Sequence, residues 1–156
     1  MSGHGAPTIS SDGTGLKVTI VASLWHTEIM NGLLAGARRA LSAANAEFTE
    51  IHVAGSFELP VVSQTALQNG ADAVVALGVI IRGGTPHFEY VSAAATDGLT
   101  QAALATGKPI GFGLLTVDDE QQALDRAGLP GSKEDKGVEA AEAAIATALV
   151  LKQIRN

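Results

Sequence analysis

A nine-residue apolar run, Ala73–Ile81 (A-V-V-A-L-G-V-I-I), constrains this chain more than any other stretch. It is largely β-branched, holds no polar residue, and stops at Arg82. A strand without polar alternation needs cover on both faces, which a parallel sheet between two helical layers supplies. The residues that follow are equally telling. Gly83 and Gly84 permit a tight turn, Thr85 is a good helix N-cap and Pro86 a good first helical residue. The chain thus passes from a buried strand into a helix whose first N–H groups are bare, a geometry that attracts phosphate or another anion. His87 stands in the first turn, where a proton-transfer group would meet that anion. An ordinary strand–turn–helix junction with an exposed histidine accounts for the same residues, and this stretch alone leaves both readings open.

The rest of the chain repeats the alternation. Residues 16–22, 48–53 and 109–115 read as further strands, and 27–43, 58–68, 86–106, 118–127 and 136–155 as helices, with a loop at 128–135. Ile29, Leu33, Leu34, Ala37 and Leu41 give the first helix its apolar stripe. The order β-α-β-α-β-α-β-α-α predicts an α/β fold: one three-layer, flavodoxin-like domain with a four-stranded parallel sheet of order 2-1-3-4 and helices on both faces. Ligands in such sheets bind beyond the carboxyl ends of the strands, which places Trp25, residues 56–58, residues 81–87 and the surroundings of Phe112 at the candidate rim. Residues 1–15, polar, small and Gly-rich, are expected to form a flexible tail, and 16–156 the folded domain. His4 belongs to that tail and is given no role. The Ala-rich third and last helices have little bulk, and a four-stranded sheet leaves edges open, which favours self-association over a tightly packed monomer.

Composition removes several classes of function. There are no cysteines, so disulfides, thiolate catalysis and Cys-based zinc sites are excluded. A net charge of −6 argues against a nucleic-acid surface, and a phosphate bound by so acidic a chain requires a local cation. No apolar run approaches the ~20 residues that cross a bilayer, and no signal-peptide pattern is present, so a cytoplasmic location is expected.

Other residues carry two readings each. Trp25, the one tryptophan, is either core or a stacking platform for a flat heterocycle. Glu58 either compensates a helix dipole or accepts a polyol hydroxyl. Ser56 is equally a helix cap. His26 and His52 have no companions at metal spacing and read as surface or satisfied residues. Arg126 and Lys136 flank the 128–135 loop as solvated charge or as a phosphate clamp. Arg82 is as able to pair with a nearby carboxylate as to face a ligand.

Several segments together resemble one family. G-S-F-E-L-P (55–60), G-V-I-I-R-G-G-T-P-H-F-E-Y-V (78–91), P-I-G-F-G-L-L-T (109–116), E-Q-Q-A-L-D-R-A-G (120–128) and D-K-G-V-E-A-A (135–141) are similar to lumazine synthases, over about residues 18–152. The resemblance implies condensation of 5-amino-6-(D-ribitylamino)uracil with 3,4-dihydroxy-2-butanone 4-phosphate to 6,7-dimethyl-8-ribityllumazine, with release of phosphate and water. This is the penultimate step of riboflavin biosynthesis and needs no cofactor or metal. Carried onto this chain, it makes His87 the proton-transfer residue. Trp25 stacks on the pyrimidine, Ser56, Phe57 and Glu58 hold the ribityl chain and ring, and Val79, Ile80 and Ile81 meet the pyrimidine through their backbone. Gly84 and Thr85 bind phosphate with Arg126. Phe112, Lys136 and Arg126 come from a neighbouring subunit. The family forms pentamers, in some members joined into hollow sixty-subunit shells. Shell formers tend to have a short G-N-K-G turn. Here the stretch is G-L-P-G-S-K-E-D-K-G (128–137), longer and with Glu-Asp in place of Gly-Asn, so a free homopentamer is expected. A non-catalytic binder of flavin or ribityl compounds, or a shell-forming protein on the same fold, is the competing reading.

Overall fold

The apolar run lies at the centre of the sheet. In a computed structural model that describes residues 4–156, Ala73–Ile81 forms β3, paired with β1 (Lys17–Ser23) on one side and β4 (Ile110–Val117) on the other. Residues 1–3, part of the expected tail, lie outside the described residues. β2 (Glu47–Val53) closes the far edge, and all four strands run parallel in the order β2-β1-β3-β4. The predicted sheet order is therefore the observed one. Among the described residues, five α-helices connect and cover the strands: α1 (Thr27–Ala43), α2 (Leu59–Gln68), α3 (His87–Thr106), α4 (Glu120–Leu124) and α5 (Lys136–Arg155).

The missing polar alternation in β3 has a direct cause. Val75 and Leu77 face a core shared with α1 and α5, including Leu33, Leu41 and Ile145. Val74 and Ala76 face a second core shared with α2 and α3, including Leu59, Leu67 and Leu99. Successive side chains of a strand point to opposite faces, and here both faces are dry. β2 lies at an edge, and its sequence alternates accordingly: Glu47, Thr49 and Ile51 are exposed.

The alanines of α5 allow backbones to come close. A Cβ at Gly137 would run into the Leu33 carbonyl oxygen of α1, and one at Gly111 of β4 into the Ala140 carbonyl oxygen of α5. Gly137→Val is therefore expected to lower the thermal midpoint, since forcing bulk into such a contact costs about 1–3 kcal/mol. An unchanged midpoint in a thermal melt would mean that α1 and α5 separate freely.

Element boundaries differ from the expected ones where local capping decides. Glu58, expected to open α2, instead ends a 3-10 turn over residues 56–58, and α2 starts at Leu59. α4 is shorter than expected at both ends: Asp119 caps it by accepting from the Gln122 amide at 2.8 Å, so it starts at Glu120, and it stops at Leu124, ahead of a turn and the bridge from Ala127 to Asp135. α3 begins at His87, one residue later than predicted. Before β1, the Gly13 amide donates to the Ala44 carbonyl at 2.6 Å, fastening the chain to the end of α1. Among the described residues, no helix is long and apolar enough to cross a membrane.

Candidate functional site

The carboxyl end of the sheet opens onto a cavity of about 730 Å³. Its floor is the end of β3. Pairing between β1 and β3 stops at Ala22 opposite Leu77, whereas pairing with β4 continues to Ile81 opposite Val117. Past Leu77, the β1-facing edge of β3 has no strand partner among the described residues. Val79, Ile80 and Ile81 line the cavity at this open edge, so their main-chain groups are placed to hydrogen-bond a planar ligand as another strand would.

One wall comes from the turns after β1 and β2. Trp25 is 64% exposed, which removes the core reading and leaves its indole at the rim. His26 precedes α1 with φ 60°, in the left-handed region, and lines the cavity beside it. Such a conformation in a non-glycine residue is uncommon and concentrates at functional sites. A Cβ at Gly55 would sit 3.2 Å from Trp25 Nε1 and 3.3 Å from Glu58 Oε2, so glycine there lets indole and carboxylate converge. Phe57 is exposed and Ser56 buried. Ser56 caps neither the 3-10 turn nor α2, as neither start has a side-chain cap bond. Its Oγ instead lies against Gly78 of β3.

The opposite wall is α3. His87, Tyr90, Val91 and Ala94 follow one another at helical spacing and line the cavity together. Thr85 is not the N-cap expected from the sequence: Pro86 holds that position with no side-chain cap bond, and because the helix starts one residue later, Thr85 is left one position upstream, where its Oγ1 makes only a long 3.4 Å contact with the His87 amide. Gly84 and Thr85 are exposed on the loop between Ile81 and His87 and do not line the cavity. Arg82 takes the carboxylate reading, with partners in Glu89 and Asp118. Hydrogen bonding from Arg82 holds the Glu89 carboxyl below its ordinary value.

Phe112, Arg126 and Lys136 gather elsewhere, in a depression of about 320 Å³ between β4 and α5. The 128–135 loop brings the two cations together. It is pinched at its base by a bridge between Ala127 and Asp135, and the Lys136 amide donates to the Arg126 carbonyl at 3.0 Å. Arg126 also donates to the Gln122 carbonyl at 2.8 Å and lies 3.8 Å from Glu134. Lys136 Nζ is 2.6 Å from Glu139 and 3.5 Å from Glu134. Phe112 is 48% exposed on the outer strand.

Eight of the residues singled out from the sequence therefore share one cavity: Trp25, Ser56, Phe57, Glu58, Val79, Ile80, Ile81 and His87. Three others, Phe112, Arg126 and Lys136, share a different face of the same chain. Sequence reasoning missed His26, Gly55, Tyr90, Val91 and Ala94. The last three were legible from their helical spacing to His87; the left-handed backbone of His26 left no pattern to read. Among the described residues no cluster of three or more His, Asp or Glu could hold a metal ion. Chemically, the cavity offers aromatic faces, an open strand edge, one carboxylate (Glu58) and two imidazoles (His26 and His87), but no lysine or arginine among its lining residues.

A family model described as 6,7-dimethyl-8-ribityllumazine synthase matches residues 15–152. The 6,7-dimethyl-8-ribityllumazine synthase of Clavibacter michiganensis subsp. michiganensis is 74% identical, covering 100% of this chain and 99% of that protein. Its namesakes in Leifsonia xyli subsp. xyli and Kineococcus radiotolerans are 70% and 62% identical, covering 100% and 99% of this chain and 100% and 96% of theirs.

Proposed function

The chain belongs to the 6,7-dimethyl-8-ribityllumazine synthase family, and from that premise we propose how its own residues carry the reaction. It is a transferase of riboflavin biosynthesis that condenses 5-amino-6-(D-ribitylamino)uracil with 3,4-dihydroxy-2-butanone 4-phosphate. Both partners are small molecules. The pyrimidine stacks on Trp25 and hydrogen-bonds the open edge of β3 at Val79, Ile80 and Ile81. Ser56, Phe57 and Glu58 hold the ribityl chain, with the Glu58 carboxylate accepting from its hydroxyls. The phosphate of the second substrate rests on the Gly84 and Thr85 amides at the start of α3.

The amine attacks the ketone to give a carbinolamine, which loses water to form an imine. Elimination of phosphate and ring closure with loss of a second water complete the product. Each step moves a proton, and His87, between the pyrimidine and phosphate ends, relays them. Holding two substrates in one cavity supplies much of the remaining acceleration.

One observation carries the assembly. The cavity that receives a phosphate ester has no lysine or arginine in its lining, while Arg126 and Lys136 lie with Phe112 on another face. A second copy that seats this face over the cavity completes the site, with Arg126 binding phosphate and Phe112 and Lys136 closing the pyrimidine end. Closed rotation of such a head-to-tail contact gives a ring, and we infer a homopentamer in the cytoplasm. The length of the 128–137 stretch supports a free pentamer over a shell, and light scattering of a megadalton particle would overturn that. Mixing the protein with both substrates is expected to give the absorbance and fluorescence of the lumazine. A folded protein that binds the ribitylaminouracil without forming product would sink the catalytic reading.

A further inference from the structure

The loop that presents Gly84 and Thr85 has little packing of its own. A Cβ added at Gly83 or Gly84 would meet no atom within 4 Å, and residues 82–87 are all exposed. One side chain ties its two ends. Arg82 Nε donates to Asp118 Oδ1 at 2.9 Å, just before α4. Its Nη1 donates to Glu89 Oε1 in the first turn of α3. Its guanidinium carbon lies 4.3 Å from the centre of the Phe88 ring. The Arg82 amide donates to the Val117 carbonyl at 2.9 Å, so the residue is anchored at the sheet as well. A planar fork thus spans the end of β3, the β4–α4 junction and the start of α3, and no lysine could make all of these contacts at once.

We propose that Arg82 is a positioning residue for the reaction: by clasping Glu89 and Asp118 it fixes the 83–86 loop and the first turn of α3 against the sheet, and so aims the phosphate-binding amides and the His87 side chain. The inference rests on the phosphate site proposed above. Stability is a poor readout, because exposed ion pairs contribute little to it. Geometry is the readout, because a small misplacement of binding groups changes rate and affinity strongly. A direct contact between Arg82 and the phosphate is the rival role, and it makes the opposite prediction for the carboxylates. Removing Glu89 would release Arg82 to the anion and tighten binding, whereas positioning requires that it weaken.

The test compares Arg82→Met, Arg82→Lys, Glu89→Gln and Asp118→Asn with the wild-type assembly. In Arg82→Met, KM for the ketose phosphate and Ki for inorganic phosphate are expected to rise about tenfold, while KM for the ribitylaminouracil moves less than about twofold and the thermal midpoint stays put. Arg82→Lys should recover only part of the loss. Glu89→Gln and Asp118→Asn should weaken phosphate in the same direction as Arg82→Met. Unchanged phosphate constants in Arg82→Met, or tighter phosphate in Glu89→Gln, would overturn the proposal. Direct titration with inorganic phosphate needs no turnover. Failure of the wild type to form lumazine would therefore count against the reaction alone, and the titration would still decide the role of Arg82.

Discussion

His87→Ala is expected to lower turnover by ~10²- to 10⁴-fold while leaving a folded, assembled and weakly active protein. The fall follows from its place. His87 is the histidine on the α3 wall of the cavity, and it begins the helix that follows the turn proposed to bind phosphate. The residual rate follows from what remains. Trp25, the open edge of β3 and the Gly84–Thr85 amides would still hold both substrates, and proximity is the larger contribution. The fold should survive because the His87 side chain is exposed and belongs to neither core. Steady-state lumazine formation, with thermal melts on the same samples, checks both halves. An unchanged rate would remove the acid–base role.

Arg126→Gln should be as damaging when assayed alone, and its loss should be rescued by His87→Ala. The two residues lie on different faces of one chain, so a working site would take His87 from one subunit and Arg126 from its neighbour. If the variants are unfolded together and refolded as a mixture, chance places an intact cavity beside an intact cationic face at on the order of a quarter of the contacts. Activity should therefore recover to about that fraction of wild type. Simple mixing without subunit exchange should recover nothing. A refolded mixture no more active than its parents would mean that each chain builds its site alone.

Much of the fold could be read from β3. Its lack of polar alternation required cover on both faces, and the alternating elements around it then fixed a parallel sheet whose order the structure reproduces. Boundaries were harder because they depend on single hydrogen bonds: Asp118 and Asp119 look alike in sequence, and only Asp119 caps α4. Trp25 was ambiguous because exposure is set by where β1 ends, not by residue type. Arg82 shows the same limit at longer range. Its partner Asp118 is 36 positions away, brought close by the pairing of β3 with β4. The left-handed backbone of His26 was invisible because the residue type only permits it.

The pinched base of the 128–135 loop has a consequence for how such a protein can change. The bridge between Ala127 and Asp135, with the bond from the Lys136 amide to the Arg126 carbonyl, holds the backbones that carry the two cations side by side. Within the loop, Glu134 still reaches both cations, at 3.8 Å from Arg126 and 3.5 Å from Lys136. Residues 129–133 lie farther out and can lengthen, shorten or change charge with less effect on the cations. In the assembly proposed above, the contacts between rings could then vary along a lineage while Glu134 and the closed base keep the cationic face as it is.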